Sequence, residues 1–228
     1  MTFPHSVSSR RVYTMISAGK TVGEMIVDEA GSTPAVFNGQ SAMQSTATTT
    51  TNILATATNP ALTQVVRDRA YGQIQSSGLA ITLGVESEVQ STGFTSGAVT
   101  VPAITTTSYD TYVPGEDTLW MTLKPSQSHT TATTGTRTNT TIPTAITTTP
   151  LNYSTTFTYV ARENVTVSGR TFDTCKYMIT GGDVSLSMYS WILVGKGFDV
   201  RTDVNSGLPG GDSTQLLLQS GTYNGAPL

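Results

Sequence analysis

A chain of 228 residues is long enough to bury a β core without covalent staples, and one domain spanning 1–228 is the expected organisation. Only 12% of its residues are charged and the net charge is −3, so no basic face exists to neutralise phosphates and nucleic acid is excluded as a partner. The single cysteine, Cys175, rules out an intrachain disulfide and a thiolate metal cluster, and no window nears the roughly eighteen apolar residues of a membrane-spanning helix.

Threonine supplies about a fifth of the residues, and this β-branched bias favours strands over helices. Arg11 to Asp28 alternates apolar and polar residues around Ala18-Gly19-Lys20, the signature of a hairpin. From Gly31 to Thr58 the residues are small and polar, with a short strand expected at Asn52–Thr58. Residues 60–71 fit two templates. Asn59 and Pro60 would cap a helix with Leu62, Val65 and Val66 on one face, and the same apolar residues suit a strand. Gly78–Val89 reads as a strand with a bulge at Gly84.

Tyr109–Gly115 reads as a turn leading into a strand that ends at Pro125. The threonine-rich segment 126–150 is expected as a long loop or as edge strands displaying threonine ladders to solvent. Beyond it Tyr153, Phe157, Tyr159 and Ala161 alternate as one face of a long strand. Strands follow at Thr171–Thr180, Val184–Val194, Phe198–Asp203 and Thr214–Ser220, separated by glycine turns.

Chemistry is sparse. His5 and His129 are the two histidines, one near the chain start and one beside the threonine tract, so a histidine-assisted nucleophile has little support and no catalytic residue is assigned. Asp203, Asn205, Gly207 and Asp212 loosely resemble the start of a calcium loop, but the closing glutamate is missing and a hairpin loop accounts for them. No metal site or cofactor is expected. Glu86 and Glu88 share a strand face, and Glu24, Asp28 and Glu29 read as an exposed hairpin edge.

Val165, Val167, Gly169, Phe172, Cys175 and Lys176, followed by Trp191, Gly195 and Gly197, resemble a pattern of the TapB-like bacterial envelope proteins. These are uncharacterised families related to the lipoprotein-localisation carriers, and the similarity covers the C-terminal third. Ser168 stands where those families carry proline, and Phe198 where they carry a smaller aliphatic residue. The resemblance implies a curved antiparallel sheet or half-open β-barrel, mainly β with at most one or two short helices, whose concave face holds lipid or another apolar ligand.

Trp191, Cys175 and Trp120 are the residues placed as candidates for that ligand face. The functional expectation is a non-enzymatic, envelope-associated β protein that binds an apolar ligand or an envelope protein partner. The alternative is a structural subunit or adhesin of a filament, shell or surface layer. Low charge with many hydroxyls fits a periplasmic, secreted or outer-membrane-associated protein whose signal or anchor segment is absent from the sequence, since Met1-Thr-Phe-Pro-His-Ser has neither a basic nor an apolar leader region.

Overall fold

In a computed structural model of the chain, the residues described are 7–56, 60–77, 79–96, 99–142, 145–183, 186–205 and 213–228. Fifteen strands and one 3₁₀ turn account for nearly all of them. The strands are β1 (Ser9–Ser17), β2 (Lys20–Phe37), β3 (Gln40–Ile53), β4 (Leu62–Ile74) and β5 (Ala80–Ser91). A small separate hairpin, β6 (Phe94–Ser96) and β7 (Val99–Val101), precedes β8 (Ile104–Asp117), the 3₁₀ turn η1 (Leu119–Thr122) and β9 (Ser128–Ile142). Then come β10 (Ala145–Val167), β11 (Arg170–Gly181), β12 (Leu186–Leu193), β13 (Asp199–Asn205), β14 (Thr214–Tyr223) and β15 (Ala226–Pro227).

Every pairing is antiparallel between sequence neighbours, apart from the β6–β7 excursion and a closing pair between β1 and β14. Ser9 to Ser17 run against Tyr223 to Thr214, so twelve strands close into a barrel and β15 adds a short flap to β14. The half-open sheet expected from the sequence is therefore corrected to a closed one. Closure satisfies the backbone donors and acceptors that β1 and β14 would otherwise present as edges.

Residues 62–74 are strand, with Val65 opposite Thr50 and Gln90, which decides between the helix and strand templates; Asn59 lies outside the described residues. The 31–53 stretch is regular, because β2 runs on to Phe37 and turns back through Asn38 (φ 48°) and Gly39 (φ 77°); β3 ends at Ile53, so the strand expected at Asn52–Thr58 is only its last two residues, and 57–58 lie outside the described residues. This Asn-Gly pair makes the mirror-image turn that fits strand twist. The threonine tract forms β9 and the first part of β10, in which 135–142 pair with both β8 and β10 while 145–154 pair with β9 alone, as edge strands do. Its threonines do form ladders: Thr130 with Thr156 (2.9 Å) and Thr138 with Thr148 (3.2 Å) join hydroxyls across strands. Instead of a strand before Pro125, Leu119–Thr122 forms η1.

Side chains alternate between two faces, and opposite partners share a face. One face carries the exposed pairs Arg10–Asp28, Arg67–Glu88 and Arg69–Glu86 and is the outer wall. The other carries the buried Ser9, Arg11, Tyr13, Asp110, Thr133, Tyr177 and Leu218 and faces the lumen. A membrane barrel needs an outward apolar band about 25 Å tall. Among the described residues the outer wall carries threonines and ion pairs. Among the described residues no helix is long and apolar enough to cross a membrane.

Two hairpin tips fold back on the outer wall. The β2–β3 tip lays Phe37 over Gly84, stacked between Tyr71 (4.6 Å between ring centroids) and Tyr109 (5.6 Å). A Cβ at Gly84 would sit 2.4 Å from the Phe37 ring, so only glycine fits there. The β10–β11 tip, turned through Ser168 and Gly169, brings Val165, Val167 and Phe172 into the cluster that holds Trp191.

Candidate ligand site in the barrel lumen

The lumen is filled unevenly. Below β10–β12 the inward Tyr159, Tyr177 and Ile192 pack as a cluster, with Tyr159 and Tyr177 stacked at 5.1 Å. The connection between β8 and β9 enters the barrel as a plug. Trp120 of η1 stacks on Phe157 at 4.7 Å and meets Tyr177 edge-on at 5.5 Å, and Leu123 joins the same cluster. His129 binds Asp117 at 2.9 Å at the plug's base, and Thr118 donates to the Ala80 carbonyl at 2.9 Å.

The opposite wall, from β2 to β5, carries small inward side chains. The register aligns Ser9, Glu29, Ala47, Asp68, Ser87 and Ser108 as one ring segment, with Ser45 and Ala70 one step above it. Small side chains opposite a packed aromatic half leave a cavity of about 280 Å³. It opens at the end bearing the Asn38–Gly39 turn, and Lys196, Phe198 and Tyr223 form its rim.

Glu29 and Asp68 stand two strands apart, about 10 Å along the ring. Their surroundings differ. Glu29 is satisfied by Arg11 (2.5 Å) and by the Ser9 hydroxyl (2.8 Å). Asp68 accepts one hydrogen bond, from Ser87 Oγ at 2.5 Å, and among the described residues no cation pairs with it. Deeper in the lumen Arg137 grips Asp110 with its Nε (2.9 Å) and Nη2 (2.7 Å) and also reaches Asp183. That carboxylate contact raises the Arg137 pKa above its already high ordinary value. Glu116 accepts hydrogen bonds from Thr133 and from Tyr153. Asp199, enclosed near the rim, has its carboxyl pushed up by desolvation, opposed by the Ser190 hydroxyl and the field of Arg11. Among the described residues there is no cluster of three or more side chains placed to hold a metal.

The three candidate residues do not form one site. Cys175 lies opposite Ile192 on the lumen face, where it takes the Tyr159 hydroxyl at 3.4 Å, and Trp120 is in the same aromatic cluster. Trp191 lies opposite Lys176, one residue along and therefore on the outer face. There its Nε1 donates to Glu163 at 2.6 Å, and its ring is sandwiched by Lys176 and Arg201 at 4.7 and 4.6 Å. It is 5% exposed, covered by the β10–β11 tip, which is a packing role. Glu86 and Glu88 share the outer face as expected, but Glu29 points inward while its neighbour Asp28 points out. His5, Gly207 and Asp212 lie outside the described residues. Asp68, Asp110 and Arg137 drew no notice in the sequence. Their signal was a charged residue in alternation with small residues of one face.

No protein-family model matches the chain, and no curated protein matches it. A solved structure from Bacteroides fragilis, of a protein provisionally named as exported and as having a YmcC-like fold, is similar over 97% of this chain and 97% of its own. The identity is 12% and the TM-score 0.40, and at that level nothing about function transfers.

Proposed function

We propose that this barrel is a non-enzymatic binding protein that works outside the cytoplasm and holds one small amphipathic molecule in its upper lumen. The observation that carries the reading is the uneven filling of the lumen: aromatic packing and a plug on one side, and a wall of Ser45, Ala47, Asp68 and Ala70 on the other, around about 280 Å³. A few convergent polar groups in a mostly apolar cleft are the usual composition of a small-molecule site.

A volume of about 280 Å³ lies at the bottom of the range of small-molecule pockets, about 300–1,000 Å³, and is well short of a two-chain lipid. The ligand is therefore assigned as small and amphipathic rather than as a membrane lipid. Cys175 takes its hydrogen bond from a tyrosine and not from an imidazole, which supports a role without thiol catalysis. The subunit or adhesin alternative would draw on free strand edges; closure removes those of β1 and β14 and leaves 145–154 of β10, paired with β9 alone, as its one supporting stretch in the main sheet among the described residues. Kinship of the C-terminal third with TapB-like envelope proteins belongs to the same proposal, supported by the turn and packing roles of Val165, Val167, Gly169 and Phe172. Recovery of the native protein in the cytoplasmic fraction of its source cells would remove the export half.

The ligand half is tested by native mass spectrometry of protein purified gently from its source, beside an Ala70→Phe variant that fills the cavity. A small-molecule adduct on the wild type that is missing from the variant is expected. Bare masses for both, or the same adduct on both, would overturn it.

A further inference from the structure

The charges of the lumen are unbalanced. Glu29, Asp68, Asp110, Glu116 and Asp199 project inward, against the guanidiniums of Arg11 and Arg137. On the outer wall, by contrast, Arg10, Arg67 and Arg69 each pair with a carboxylate. A cleft lined by one sign of charge between low-dielectric walls concentrates ions of the other sign.

Within that field Asp68 is the carboxylate left available. Glu29 and Asp110 are each spent on an arginine, Glu116 is shared by two hydroxyl donors, and Asp199 is enclosed away from the cavity on Ser190. Asp68 has Ser87 alone, and its neighbours across the strands, Ala47 and Ser87, leave it open to the cavity. The rim meanwhile shows what kind of group it accommodates: Lys196 Nζ lies 4.0 Å from the centre of the Tyr223 ring, an ammonium on an aromatic face at the mouth.

We infer that the ligand of the upper lumen is an organic cation whose ammonium group pairs with Asp68, and that Lys196 on Tyr223 is its built-in competitor at the rim. This rests on the lumen-binding reading above and narrows it to a chemical class. An ammonium bound to a carboxylate makes charge-assisted hydrogen bonds that a neutral hydroxyl cannot match. The Lys196 charge opposes entry of such a ligand and occupies the ring face its apolar part would use.

The test is calorimetric titration with 2-phenylethylammonium and with the neutral 2-phenylethanol, which differ in the group offered to Asp68. The wild type is expected to bind the ammonium at least about tenfold more tightly, with the preference shrinking as salt is raised. Asp68→Asn should bring the two probes level. Lys196→Met, which keeps the stem and removes the charge, should tighten the ammonium several-fold and leave the alcohol nearly unchanged, a gain that a misfolded variant would not show. Equal binding of the two probes to the wild type, or a preference that survives Asp68→Asn, overturns the cation assignment. If the alcohol binds the wild type but not Ala70→Phe, the cavity stands and only the cation falls. If neither probe binds, both fall.

Discussion

Asp199 shows how one residue near the rim is held. Its carboxylate accepts from Ser190, its carbonyl accepts the Tyr13 hydroxyl at 2.8 Å, and Arg11 lies close enough to act through its field. Desolvation is the largest influence and pushes its pKa above the ordinary carboxylate value. The folded state therefore binds this proton more tightly than the unfolded chain does. Its contribution to stability is complete below the unfolded pKa and is lost as pH rises through the folded value. Asp199→Asn keeps an acceptor for Ser190 and removes the charge. Denaturant unfolding at about pH 4 and pH 7 should show the variant gaining on the wild type as pH rises. A difference that stays flat with pH would show that burial does not govern this group.

At the scale of elements the plug is the feature that the chain's local pattern hid. Leu119-Trp120-Met121 has the apolar run of a strand, but it turns as η1, and Trp120 stacks on Phe157 inside the lumen. Trp120 and Cys175 then belong to one cluster, whereas Trp191 is across the sheet. Maleimide labelling of Cys175 in native protein should accordingly be slow in the wild type, several-fold faster in Trp120→Ala and little changed in Trp191→Phe. Equal rates in all three would mean that the plug does not screen the thiol. The same contrast explains what the sequence made legible. Alternation predicted the common face of Tyr153, Phe157 and Tyr159, and glycine predicted the turns at Gly19, Gly169, Gly181-Gly182 and Gly195–Gly197, since both are local rules. The alternation fails at Ala161, because the strand bulges beside Val160 and changes face. Asn38-Gly39 is a hairpin signal that the run of small residues around it obscures. Burial of Asp68 and Arg137 in a lumen was beyond local reading, because it depends on which way the sheet curves.

For the whole molecule the decisive contact is the seam between β1 and β14, where Tyr13 meets Leu218 and Met15 meets Leu216. Some two hundred residues separate these partners, so no periodicity within either strand announces that they pair, and β1 alone reads equally well as the edge of an open sheet. Closure makes a difference that amide exchange can read. In an open sheet the first and last strands fray at low free energy, while in a closed one every strand is bonded on both sides and opens only with the barrel. Hydrogen exchange at Tyr13, Thr14, Leu217 and Leu218 should therefore be as slow as at Tyr159 and Tyr177 in the packed half, and slower than in the short β15 flap. Fast exchange confined to β1 and β14 would return the molecule to a half-open sheet. The lumen would then join solvent along the seam, removing the enclosure that concentrates the field of Asp68 and its neighbours.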